Sequence, residues 1–203
     1  MLVEEVKTVV GLESAKGHHY QDFKNLVNEL LDKGLVTGSN QSEGLVEITK
    51  LNQQRAKKWD KIVKLNEELT GLIQSLPAQK WIVLSEGWCG DGAQNIPVIA
   101  KLAALNHNID FKIYLRDDNP SLMDQFLSNG SRSIPKLIIA DAKDLSVKAE
   151  WGSRPAPLME LLKAYKADDT ISKDMFNHDV HAWYAKDKGQ TIQKELLALI
   201  SAI

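Results

Sequence analysis

The hydrophobic period of this chain changes at Pro77, and that change decides what it can fold into. Before it, apolar residues recur at three- and four-residue intervals, as one face of a helix requires. Phe23, Leu26, Val27, Leu30 and Leu31 predict a helix over 18–32. The stretch "KGLVTGSNQSEG" interrupts with glycines and small polar residues and reads as a loop. Leu45, Ile48, Leu51, Trp59, Ile62, Leu69, Leu72 and Leu76 predict one long amphipathic helix over 45–76, with lysines and glutamates on its other face. Pro77 stands beyond its end, as helix stops often do.

After Pro77 the runs shorten. "WIVLS" (81–85) is nearly continuous in apolar residues, the pattern of a strand buried on both faces. Ala93 to Leu105 returns to helical spacing, and "DFKIYL" (110–115) alternates as a strand does. Asn119-Pro120 opens a helix whose buried face is expected to be Leu122, Met123, Phe126 and Leu127. "IPKLIIA" gives a third strand, "DAKD" a turn and "LSVKAEW" a fourth strand. A helix over 157–165 and two tail helices, near 173–186 and 191–202, complete the order. A βαβ start that closes with a hairpin and a helix implies an α/β fold, a mixed four-stranded sheet covered by helices.

The 203 residues suit one domain with extensions. A formal charge of −2 gives no pull toward nucleic-acid phosphate or an anionic membrane. No run approaches the ~18 apolar residues of a membrane span, and the amino terminus lacks the basic-then-apolar pattern of a secretory signal. The chain has one cysteine, Cys89. It cannot form an intrachain disulfide, so a reducing cytoplasm is the expected compartment.

Cys89 lies in "SEGWCGDGAQNIP" (85–97), at the end of the first core strand. With Trp88-Cys89-Gly90 in that place, the order of elements resembles the thioredoxin superfamily. Pro97 falls where that family kinks the following helix, and an interior proline costs about 3 kcal/mol. Ile134-Pro135 precedes the third strand, where the family carries a cis-proline opposite its reactive cysteine. Trp151-Gly152-Ser153 ends the fourth strand at the place of the family's glycine. The resemblance covers roughly residues 77–166. It implies a thioredoxin-like domain over 77–203, C-terminal helices included, and a helical extension over 1–76 packing on it. More narrowly, "EGWCGDGAQNIP" resembles a bacterial thioredoxin-like subgroup with a Trp-Cys-Gly-Asp-x-Ala-Gln stretch and no second cysteine, a subgroup without an agreed activity.

Gly92 occupies the position of the family's second cysteine, so no internal thiol can resolve a mixed disulfide. Val83 occupies the position of its buried acid. What remains is a monothiol whose use depends on its thiolate fraction. A free cysteine ionises with a pKa of about 8.5, and lowering that to about 7 takes roughly 2 kcal/mol. A helix amino terminus supplies about 0.3–1 kcal/mol when exposed. Asp91 and Glu86 oppose ionisation, while Arg132 would favour it if the loop before Pro135 faces Cys89. The expected outcome is at most modest activation. Asp91 reads as a helix cap rather than a base.

Three readings stay open at this point. One is monothiol thiol–disulfide chemistry through Cys89, with a protein or a low-molecular-weight thiol or disulfide as partner. Another is a catalytically silent module binding a peptide in a groove at Trp88, Gly90, Asp91, Gly92, Arg132, Ile134 and Pro135. The third is a redox sensor that dimerises through Cys89. No cofactor and no metal are expected. His178 and His181 share a helix face with Asp174 one turn earlier, but surface histidines explain them better than a metal site. No phosphate-binding glycine loop, dinucleotide fingerprint or nucleophile elbow is present.

Overall fold

The computed structural model describes residues 6–203. The central sheet runs in the order β1 (Gly17–His18), β3 (Ile109–Leu115), β2 (Gln79–Ser85), β4 (Lys136–Asp141), β5 (Val147–Gly152). The four strands expected from sequence are present, and the two-residue β1 adds an antiparallel edge to β3. β2 and β3 are parallel, while β4 runs antiparallel to both β2 and β5. The central strand is sealed on both faces: Trp81, Ile82, Val83 and Leu84 are each at most 1% exposed. That burial is why it reads as an uninterrupted apolar run instead of an alternation.

Helices cover both faces. α1 (Tyr20–Asp32), α2 (Glu43–Ile62) and α3 (Glu67–Ser75) precede the sheet, and α4 (Gly90–Ala103) follows β2. α5 (Pro120–Met123) is a single short turn, and α6 (Ala156–Ala167), α7 (Lys173–Asp187) and α8 (Gln190–Ile200) close the chain. One core cluster joins Phe23, Val27, Trp59, Leu69 and Ile73 to Trp81, Val83, Ile99, Ile139, Ile192 and Leu196. The helical front therefore shares its core with the sheet and with the tail. A second cluster on the other face joins Ile82, Leu84 and Ile138 to Leu122, Met123, Phe126 and Cys89.

Four expectations need correction. The helix expected over 45–76 is two helices, because Val63 leaves the helix in an extended conformation and Asn66 caps α3, its side chain accepting from the Leu69 amide at 2.8 Å. The buried face of α2 is Thr49, Asn52, Ala56 and Trp59, while Ile48, Leu51 and Ile62 are exposed. Small and polar residues let α2 approach α4 closely, whereas a leucine stripe would hold it off. Leu127 lies outside α5 and is 40% exposed. Asn119 starts α5 without capping it, because its amide donates backward to the Leu115 carbonyl at 2.8 Å.

Candidate functional site

The site begins where β2 runs out of sheet. Glu86, Gly87 and Trp88 turn the chain, the Cys89 amide donates to the Glu86 carbonyl at 3.1 Å, and α4 starts at Gly90. Cys89 is the residue that caps α4. Its Sγ accepts the Gly92 amide at 3.2 Å and lies 3.4 Å from the Ile134 carbonyl oxygen, to which only the protonated thiol can donate. The Ile134–Pro135 peptide bond is cis.

Cys89 is 6% exposed and packed in the second core cluster. Burial, followed by the negative charge of Asp91, pushes its pKa up to about 12. The Gly92 amide, the Ser85 hydroxyl and the Arg154 guanidinium pull the other way and are outweighed. The expected modest activation is thus reversed. A helix terminus contributes about 1 kcal/mol, less than it costs to ionise a sulfur taken out of water.

Gly92 has a steric reason to be glycine. A Cβ there would lie 2.7 Å from Ser85 Oγ and 3.4 Å from Cys89 Sγ. The hydroxyl of Ser85 occupies the space that a side chain at 92 would need. Gly152 is constrained in the same way: its φ is +123°, and a Cβ would stand 2.2 Å from the Pro135 carbonyl oxygen. Close approach of those two segments therefore excludes any side chain at 152.

Asp91 is not the cap. It sits in the first turn of α4, 8% exposed, with Oδ2 accepting from Arg154 Nε at 2.6 Å and Oδ1 from the Tyr184 hydroxyl at 2.9 Å. Asn95 extends the network, donating to both the Tyr184 oxygen and the Asp91 carbonyl at 2.8 Å. Burial raises the Asp91 pKa, with Arg154 opposing. The same burial, reinforced by Asp91, raises that of Tyr184. Arg132 does not serve as the cation for Cys89. Its guanidinium is held by Asp124 through two bonds, of 2.6 and 2.7 Å, on the exposed surface. Arg154 takes that role.

The residues expected to line a groove differ in how far they reach the surface. Ile134 and Pro135 are buried. Trp88 is half-buried, its indole N–H donating to the Thr37 carbonyl at 3.1 Å and its ring under the Arg116 guanidinium at 4.8 Å. The Gly87 amide donates to Thr37 Oγ1 at 3.0 Å, so the loop between α1 and α2 is strapped across the turn. Glu86 lies beneath the strap, 2% exposed, accepting from the Asp117 amide at 2.8 Å. A Cβ at Gly90 would stand 4.0 Å from both Asn52 Oδ1 of α2 and His181 Cε1 of α7. His178 is exposed beside Asp179, and among the described residues no three His, Cys, Asp or Glu side chains are grouped to hold a metal ion.

Sequence reasoning missed Ser85, Thr37, Arg154 and Tyr184. Ser85 left a trace as the one polar residue closing an apolar strand. The others come from distant segments, and no spacing links them to Asp91 or Trp88.

A family model described as Thioredoxin matches residues 38–166, more than half of the chain. The chain belongs to the thioredoxin family. The matched region starts in the strap and includes α2 and α3 as well as strands β2 to β5. Two solved structures show the same fold at low identity. One, described as an HIV epitope-scaffold, has a TM-score of 0.57 and 17% identity over 87% of this chain and 98% of that one. The other, a protein of unknown function from Pseudomonas aeruginosa, has a TM-score of 0.52 and 17% identity over 91% of this chain and 98% of that one. No curated protein matches the chain. Among the described residues no helix is long and apolar enough to cross a membrane.

Proposed function

We propose that this thioredoxin-family protein is a catalytically silent binding module, in which Cys89 is a neutral helix cap and not a nucleophile. The observation that carries the reading is the state of its sulfur. Sγ is buried, accepts the Gly92 amide, and directs its S–H at the Ile134 carbonyl. A thiol held this way is a small core residue with a capping role. The absence of a resolving thiol at Gly92 fits, as does the narrower likeness to thioredoxin-like proteins that carry Trp-Cys-Gly-Asp-x-Ala-Gln. A reducing compartment, the cytoplasm, suits a lone unpaired thiol. Binding of a peptide or protein would use surface beyond the buried Ile134 and Pro135, with Ile48 and Leu51 on the outer face of α2 offering exposed apolar contacts at 38% and 44%.

A second reading is monothiol exchange. It is favoured by the placement of Sγ at the amino end of α4, beside the carbonyl that precedes Pro135. In that reaction the Cys89 thiolate attacks one sulfur of a disulfide and the other leaves as thiolate. An external low-molecular-weight thiolate then attacks the partner sulfur of that mixed disulfide, and Cys89 leaves as the free thiolate. Trp88, Gly90, Asp91, Gly92, Arg132, Ile134 and Pro135 would line the approach only after the strap and α7 had moved.

Alkylation of the native protein separates the two. The silent module is expected to leave Cys89 unlabelled by iodoacetamide from about pH 7 to about pH 9, with stoichiometric labelling on denaturation. Labelling of the folded chain at neutral pH, at a rate near that of a free thiol, would establish the exchange reading instead.

A further inference from the structure

A cavity of about 500 Å³ opens between the helical front and the thioredoxin core, away from Cys89 and toward the carboxyl half of α4. That volume lies within the range of small-molecule sites, which are typically apolar with few polar groups. Its floor is the small-residue face of α4, Ala100, Ala103 and Ala104, and its wall is Ile109 and Phe111 of β3. The front closes the far side with Tyr20 and Asp60. The space exists because α4 presents alanines where larger side chains would fill it.

The lining carries two carboxylates and one ammonium, and they are not paired with one another. Asp60 is covered by Lys24 at 2.9 Å and also accepts the Tyr20 hydroxyl at 2.9 Å. Asp110 is covered by Lys80 at 2.9 Å and Lys112 at 3.8 Å. Lys101 lines the same cavity, and among the described residues its ammonium donates to one neutral acceptor, the Val63 carbonyl at 2.8 Å. Both aspartates of the lining are thus paired with lysines that stand outside it, and Lys101 is the one lysine of the lining. An apolar floor beside an ammonium without a carboxylate is complementary to an amphipathic anion.

We propose that this cavity binds a small organic anion, its apolar body on Ala100, Ala103, Ala104 and Phe111 and its carboxylate or sulfonate on Lys101. The site is independent of Cys89 and stands whether or not that thiol reacts.

The test uses the full chain and anilinonaphthalene sulfonate as a fluorescent probe under native conditions. Saturable one-to-one binding is expected, displaced by decanoate and not by decyltrimethylammonium. Lys101→Glu, a surface change that leaves the core intact, should weaken binding by about tenfold or more, a loss of about 1.4 kcal/mol. Ala104→Phe, which fills the floor, should abolish it while thermal melting confirms the fold. The proposal is overturned if no saturable binding occurs, or if Lys101→Glu binds the probe as tightly as the unaltered chain. Equal displacement by the cationic and anionic amphiphiles would overturn it as well.

Discussion

At the scale of single residues, the pair Ser85 and Gly92 decides whether a dithiol could be rebuilt here. Gly92→Cys alone places a Cβ 2.7 Å from Ser85 Oγ, inside any real contact distance. The variant is expected to lose about 1–3 kcal/mol from overpacking. Ser85→Ala in the same chain should recover most of that loss and allow a disulfide to Cys89. Denaturant midpoints and thiol counts of the single and double variants check this. Cys89 also carries a pH signature. An unfolded cysteine ionises near pH ~8.5, whereas in the folded protein burial has pushed the pKa up to about 12. Between those values the folded state keeps a proton that the unfolded chain has released. The stabilisation is therefore complete below about pH 8.5 and is lost as pH rises toward the folded value. The unaltered protein should lose stability from about pH 8 to about pH 10 more steeply than Cys89→Ser, by on the order of 1–2 kcal/mol. Parallel slopes would mean that the thiol ionises freely.

At the scale of elements, α7 and the strap decide how closed the site is, and each holds it with polar groups. Tyr184 of α7 donates to Asp91 and accepts from Asn95, all three buried. Tyr184→Phe keeps the ring's packing but strips one partner from a buried carboxylate and one from a buried amide. A cost of about 1–3 kcal/mol is expected, with faster alkylation of Cys89 if α7 helps to seal it. Unfolding and labelling rates measured on the same variant read the two effects separately. The strap works through Thr37, whose carbonyl and hydroxyl accept from Trp88 and Gly87. Its Gln41 holds the turn from within by bonds to Val36 and Gly38. These contacts hold the strap against Gly87 and Trp88, while α7 packs on the first turn of α4.

For the whole molecule, the question is whether the helical front is an accessory or part of the fold. Phe23, Val27, Trp59, Val63, Leu69, Ile73 and Leu76 all belong to the cluster that includes Trp81 and Ile139. Each fully buried side chain of this kind is worth about 1.5–3 kcal/mol, against a net stability of about 5–15 kcal/mol for an ordinary domain. We expect a chain lacking residues 1–76 to be unfolded or aggregated, as judged by circular dichroism and size-exclusion chromatography. A soluble, cooperatively melting 77–203 fragment would show the front to be dispensable.

Four of the five strands and the sequence of elements after Pro77 were legible without coordinates because their signals are local: period two or an apolar run for strands, period 3.6 for helices. Trp88-Cys89-Gly90, Pro97, Ile134-Pro135 and Gly152 were legible only through resemblance to the thioredoxin superfamily, whose landmarks they match in order. The break at Val63 was not legible, since the apolar spacing of 45–76 continues across it and only the Asn66 cap marks a new start. Nor was the inward face of α2, where packing on α4 favours Thr49, Asn52 and Ala56 over the more hydrophobic Ile48 and Leu51. The sequence by itself determined that this chain folds as a thioredoxin relative with one thiol and no resolving partner. Only the tertiary structure decided what that thiol is, because its ionisation depends on burial and on Asp91, Ser85 and Arg154. Those neighbours are brought to Cys89 by folding, from segments up to 65 residues away.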